Sequence, residues 1–210
     1  MPELATLASI VAALTIGVVS PGPSLVIVVR VAVASSRSRA LATALGMGAG
    51  GAVFGAAALL GLQSVLLAVP ALYVGLKILG GLYLCYLGFL IFRSAKQPLA
   101  VVGGGDQRSG PPLRSFWLGF TTQVTNPKTA IVYASVFAAF LPASFSLGFA
   151  AVLLAAVFVV ESAWYALVAF LFSSSAPQRA YLSCKSWVDR AAGAVMFGLG
   201  LKLITGAAKP

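Results

Sequence analysis

Pro21-Gly22-Pro23-Ser24 and Asn126-Pro127-Lys128-Thr129 each interrupt a long apolar stretch, and they do so at corresponding places in the two halves of the chain. Proline has no amide hydrogen and its ring clashes with the turn before it, so a helix that meets one in mid-course stops or kinks. One such break is only a kink. Two breaks at matching positions of two halves are the pattern of a carrier with discontinuous helices, whose broken ends face a central ligand site. The pair therefore predicts a transporter.

Composition decides the solvent. Of 210 residues 60% are apolar and 9% charged, with a mean hydropathy of +1.01, far from the balance of a soluble domain. Apolar stretches of about 20 residues are long enough to cross a hydrocarbon core of roughly 30 Å as helices. Six such spans are expected, over residues 4–29, 41–67, 70–92, 115–141, 147–172 and 188–207. The first has Glu3 in place of a basic leader region and regains its apolar character after Ser24, so it reads as a retained helix, not a cleaved signal.

The net charge is +10, which raises the question of a nucleic-acid partner, and the distribution of the charge answers it. With six spans, the loops after the first, third and fifth share one face and carry Arg30, Arg37, Arg39, Arg93, Lys96, Arg108, Arg114, Arg179 and Lys185. The opposite face holds Glu3, the uncharged connections at Val69-Pro70 and Leu141-Pro142, and Lys209. Such one-sidedness is the positive-inside pattern, with contact to anionic lipid heads as a corollary. Both termini are expected outside the cytoplasm, and no nucleic acid is expected.

Residues 94–113 form the only long polar interruption, with Gly103-Gly104-Gly105 and Pro111-Pro112, a composition suited to a flexible cytoplasmic linker. It separates a first three-helix unit, 1–93, from a second, 114–210. Gly81 and Gly88 in the third span match Gly193 and Gly200 in the sixth, each pair spaced Gly-x6-Gly with Leu before the second Gly. Because each unit has an odd number of spans, the two enter the membrane in opposite orientations. The expected fold is all-α: six transmembrane helices as two inverted three-helix repeats, with helices 1 and 4 broken.

The Pro-Gly-Pro of the first span, the Asn-Pro-Lys of the fourth and the closing Gly198-Leu199-Gly200-Leu201-Lys202 resemble the LysE/RhtB family of lysine and homoserine/threonine exporters. The resemblance covers nearly the whole chain. It implies a multi-pass protein of the bacterial cytoplasmic (inner) membrane that exports amino acids or close derivatives, driven by the proton gradient. On that footing the broken ends suit a zwitterion. Free amide hydrogens near Gly22 to Ser24 and at Thr129 face a carboxylate, and carbonyls freed before the prolines face an ammonium. The expected substrate-binding residues are Pro21, Gly22, Pro23, Ser24, Gln123, Asn126, Pro127 and Lys128.

Lys128 lies inside the fourth span, where a central lysine costs about 2.5 to 3.5 kcal/mol on insertion scales. A substrate carboxylate or an internal acid would repay that cost; a position near a helix end would let it reach the interface instead. Glu161 is the acid deep within a span, between Val157-Phe158-Val159-Val160 and the run from Ala163 to Phe172. It is the expected proton-coupling residue, against the alternative of a protonated carboxyl bonded to a neighbouring helix. Asp189, with Arg190 beside it, has an ordinary ion pair as its simplest account. Thr15, Ser20 and Thr125 also flank the breaks, although hydroxyls bond back to their own helices, and Asn126 has a second use as a helix cap.

Gly46, Gly48, Gly50, Gly51 and Gly55 make small-residue faces that bring backbones close, within one chain or between copies, which leaves a homo-oligomer open. Cys85 and Cys184 fall far apart and away from both breaks, against a thiol–disulfide electron conductor. There is no histidine and no ligand-spaced cluster, so no metal or other cofactor is expected. No nucleotide-binding or nucleophile motif is present, so the chain reads as no enzyme. A passive channel or a membrane scaffold is the main alternative. The scarcity of internal acids favours a neutral amino acid over a basic one, in a pocket that Trp164 and Tyr165 would shape.

Overall fold

The computed structural model describes residues 2–20, 22–68, 70–95, 111–142, 144–173 and 175–207. Every regular element among them is an α-helix: α1 (Pro2–Val19), α2 (Pro23–Ala34), α3 (Arg37–Ala68), α4 (Pro70–Ser94), α5 (Pro112–Val124), α6 (Pro127–Phe140), α7 (Leu147–Phe172) and α8 (Ser175–Ala207). Both expected breaks are present. α1 and α2 meet at a bend of 59°, and α5 stops at Val124 with α6 restarting at Pro127. In each case a proline takes the first helical position, where a missing amide hydrogen costs nothing. Pro21 and most of the expected linker, 96–110, lie outside the described residues.

Arg37–Gly61 and Leu147–Phe172 are each long and apolar enough to cross a membrane, and the bent pair Glu3–Val19 and Pro23–Ala34 passes the same test jointly. The outer surface is correspondingly apolar, with Leu60, Leu79, Val159 and Phe170 all exposed. A helix with apolar residues on its outward face has lipid as its natural solvent.

Two boundaries differ from the sequence expectation. The first broken pair runs on to Ala34, and α8 begins at Ser175 instead of 188. A hydropathy window rejects 175–187 because Gln178, Arg179 and Lys185 dilute it, yet alanine, glutamine, arginine and lysine are good helix formers. At 1.5 Å per residue the 33 residues of α8 reach about 50 Å, more than a hydrocarbon core needs. Cys184, expected in a loop, is therefore exposed on a helix.

Glycines set the closest contacts. α4 packs on α8, and α3 packs on both α5 and α7. A Cβ on Gly81 would stand 2.8 Å from the Gly200 carbonyl, and one on Gly88 would stand 2.6 Å from the Gly193 carbonyl. The matched pairs of the sequence thus face each other in crossed, antiparallel register. In α3, Gly46 lies against the Phe116 carbonyl of α5 and Gly48 against Ser162 of α7. The small-residue face of this helix is spent within one chain.

Two apolar clusters fill the interior. One gathers Leu14, Val132, Phe137, Leu153, Val157 and Met196; the other gathers Leu25, Val28, Met47, Tyr165 and Val168. Polar side chains lie where helices pass from one cluster to the other: along α7 the buried order is Val157, Glu161, Ser162, Tyr165. The result is a polar layer with apolar packing on both sides, level with the two helix breaks.

Candidate substrate site

Break one leaves the end of α1 and the start of α2 without intrahelical partners. Gly22 is extended (φ −169°, ψ −173°) and caps α2 with no side chain of its own. Its missing Cβ makes room for the Lys128 stem, which a methyl group there would meet at 3.2 Å. The Lys128 ammonium donates to the Ser20 carbonyl at 2.6 Å. The carbonyl freed by the first break is thus held by a cation from the second.

Break two is capped by a side chain. Asn126 Oδ1 accepts from the Lys128 amide at 3.0 Å, a cap at the first turn of α6. The other end of the same amide crosses to the first break, where Asn126 Nδ2 donates to Ser24 Oγ at 2.8 Å. Ser24 Oγ in turn donates to Gln123 Oε1 at 2.6 Å, and Gln123 Nε2 donates to Glu161 Oε2 at 2.6 Å. Tyr133 completes the set, its hydroxyl donating to Glu161 Oε1 at 2.7 Å. Every donor in the run points toward the carboxyl group. Both carboxyl oxygens are partnered, which a buried acid needs because desolvation otherwise costs several kcal/mol.

All five side chains are buried: Ser24, Gln123, Asn126, Tyr133 and Glu161 are each 4% exposed or less. α3 supplies the wall. A Cβ on Gly51 would stand 2.5 Å from the Glu161 carboxyl carbon, and one on Gly50 would stand 2.7 Å from the Gln123 Cβ. The glycine pair thus makes room for both members of one hydrogen bond.

These groups line a single cavity together with Ser20, Gly22, Lys128, Thr129 and Tyr165. Its free space, about 20 Å³, holds about one water molecule.

Of the sequence-predicted positions, Gly22, Ser24, Gln123, Asn126 and Lys128 all line this cavity, as does Glu161. Pro23 and Pro127 are exposed first residues of their helices. Pro21 lies outside the described residues. Thr15 and Thr125 are not part of the site, since their hydroxyls bond back to Val11 and Thr121 at 2.7 Å. Tyr165 lines the cavity and Trp164 does not.

Asp189 pairs with Lys185, one turn back on α8, at 2.6 Å, and not with Arg190. Arg190 lies over the Trp187 ring instead, 5.7 Å from its centroid. The pair is buried, and Asp189 Oδ1 has no hydrogen-bond partner.

The sequence does not mark Tyr133 as part of the site, and it marks Gly50 and Gly51 as close-packing glycines without showing that they pack against Gln123 and Glu161. A periodicity argument reaches Tyr133, because Thr129, Val132 and Tyr133 share one helix face and all three line the cavity. Nothing in the sequence singles out Gly51 among five clustered glycines.

Apolar-faced helices closed around a buried polar cavity at two helix breaks define a multi-pass membrane protein. A family profile narrows the class: LysE type translocators match residues 15–207, and the chain belongs to that family. Its relatives are transporters and not enzymes. The threonine efflux protein of Escherichia coli is 34% identical over 193 residues, covering 90% of this chain and 92% of the relative. That of Salmonella typhi is 33% identical over 190 residues with the same coverage. An uncharacterized membrane protein of Pseudomonas aeruginosa is 31% identical over 166 residues, 74% of each chain. No solved structure matches the chain.

Proposed function

We propose that this protein is a secondary active exporter of neutral amino acids, such as threonine, homoserine or branched-chain residues, or of their derivatives. The observation that carries the reading is the buried run from Asn126 through Ser24 and Gln123 to Glu161, which ties both helix breaks to one acid lining a narrow cavity. Threonine efflux, the activity for which these relatives are named, supports the cargo class. Substrate contacts fall to the backbone at Pro21, Gly22, Pro23 and Pro127 and to the side chains of Ser24, Gln123, Asn126 and Lys128.

Glu161 is the proton-coupling group, with Gln123 and Tyr133 as its proton-side partners. Antiport follows when the carboxyl exchanges its proton with one side of the membrane and substrate leaves from the same cavity. The crossed contacts of Gly81 with Gly200 and of Gly88 with Gly193 favour six spans in two inverted repeats. Residues matched between two units meet in this way across an internal two-fold axis. The units are 1–93 and 114–210, joined by a cytoplasmic linker over 94–113. Both termini lie outside the cytoplasm of a bacterial inner membrane, with alternating access between the units.

Counterflow of labelled neutral, basic and acidic amino acids in proteoliposomes tests the reading, with and without a proton gradient. Saturable exchange of neutral substrates that responds to the gradient is expected. Unsaturable flux would make the protein a channel, and absence of flux in correctly inserted protein would remove the carrier reading.

A further inference from the structure

We infer that the Lys128 ammonium is a built-in stand-in for the substrate's own ammonium, holding the Ser20 carbonyl until an incoming carboxylate draws it away. This rests on the amino-acid exporter reading and adds to it a rule for which molecules bind. The geometry is direct. Lys128 Nζ lies 2.6 Å from the Ser20 carbonyl, the acceptor that the first helix break leaves for a cationic ligand. Its stem crosses Gly22, the one residue at that break with no side chain to exclude it. The Ser20 hydroxyl beside the same carbonyl is buried with no hydrogen-bond partner, and buried polar groups without partners call for an occupant. With free space for about one water molecule, the cavity cannot hold Lys128 in this position and a substrate at once.

A ligand that takes this place must therefore displace a charge-assisted hydrogen bond and give the displaced lysine a new partner. An α-amino acid does both. Its ammonium replaces that of Lys128 at the Ser20 carbonyl, and its carboxylate receives Lys128. An amine lacking the carboxylate takes the Ser20 carbonyl and offers the displaced ammonium nothing in exchange, and a carboxylic acid lacking the amine leaves the carbonyl bare. Lys128 selects for molecules that carry both groups, independently of side chain.

The test compares binding of threonine, and of the amine formed by removing its carboxylate, to the full-length chain in lipid nanodiscs. Wild type, Lys128→Gln and Lys128→Arg are measured side by side. In Lys128→Gln the amine should bind about tenfold tighter or more, the fold-change of one charge-assisted hydrogen bond no longer to be displaced. Threonine should bind more weakly in the same variant, while Lys128→Arg keeps the wild-type order. An amine affinity that falls or stays level in Lys128→Gln overturns the inference.

Lysine-ammonium NMR on isotope-labelled wild-type protein needs no altered binding residue. The Lys128 signal should move with a bound amino acid and not with the amine, and a signal unmoved by a bound amino acid would also overturn the inference. A wild-type chain that binds no amino acid, with amine binding gained in Lys128→Gln, would refute the cargo and uphold the role of Lys128.

Discussion

Gly51→Ala places one methyl group against the acid of the site, and the structure sets its cost. The new Cβ would stand 2.5 Å from the Glu161 carboxyl carbon and from Oε2, and 2.8 Å from Oε1. Ordinary van der Waals contact begins at 3.4 Å, so the carboxyl must retreat by about 0.9 Å. Its bonds to Gln123 and Tyr133 are 2.6 and 2.7 Å long, and a retreat of that size carries them to the edge of hydrogen-bond range. Overpacking costs about 1 to 3 kcal/mol, and each buried donor left without its partner adds roughly 1 to 3 kcal/mol. The expected total is about 3 kcal/mol or more in thermal or denaturant unfolding, with exchange activity in proteoliposomes lost. Gly61→Ala on the same helix is the control: nothing lies within 4 Å of its added Cβ, and alanine gains about 1 kcal/mol of helix propensity. If Gly51→Ala exchanges substrate with wild-type affinity, or if Gly61→Ala costs as much, the fit of α3 against Glu161 is not what shapes the site.

Glu161→Gln should insert and fold but lose proton-coupled uphill export, read as proton flux during substrate efflux; unchanged coupling would remove Glu161 as the carrier. Asn126→Ala removes the cap of α6 and the bond to Ser24, so unfolding stability should fall by about 1 to 3 kcal/mol, with substrate affinity falling too. A stability loss with wild-type affinity would make Asn126 a cap alone. Gly200→Leu should separate α4 from α8, because even a Cβ there would lie 2.5 Å from the Gly81 carbonyl. Loss of thermal stability checks this, and a wild-type melting temperature would refute the close pairing.

The sequence made the two breaks legible because proline acts locally: Pro23 and Pro127 set their helix starts whatever surrounds them. Asn126 was legible as a cap for the same reason. Lys128 and Glu161 stood out as charges in apolar runs, yet their partners did not. For Lys128 the sequence left a substrate carboxylate, an internal acid or the interface open, and the contact the structure adds is the Ser20 carbonyl, a group that every residue carries and no composition reveals. Tyr133 was hidden among ordinary aromatic residues until α7 placed Glu161 opposite it. Asp189 was matched with its neighbour Arg190, although residues one apart on a helix point in different directions and Lys185, one turn back, shares its face. The start of α8 was missed because hydropathy measures solvent preference and not helix formation.

The hydrogen bonds of the site divide unevenly between the halves of the chain. Glu161 and its partners Gln123 and Tyr133 all belong to the second half, so the acid keeps its shell if that half moves as a body. Among the described residues of the site, Ser24 to Gln123, Asn126 to Ser24, and Lys128 to the Ser20 carbonyl cross between the halves. Two neutral bonds at roughly 0.5 to 1.5 kcal/mol and one charged bond at roughly 1.5 to 3 kcal/mol make these links worth about 2.5 to 6 kcal/mol. A population shift from nearly all of one state to nearly all of another takes about 5.5 kcal/mol of differential binding. In the proposed exporter the three links are therefore within reach of a zwitterion, whose ammonium takes the Ser20 carbonyl and whose carboxylate takes Lys128. A ligand with only one of the two charges recovers less than it displaces, so in that reading opening and recognition depend on the same bonds.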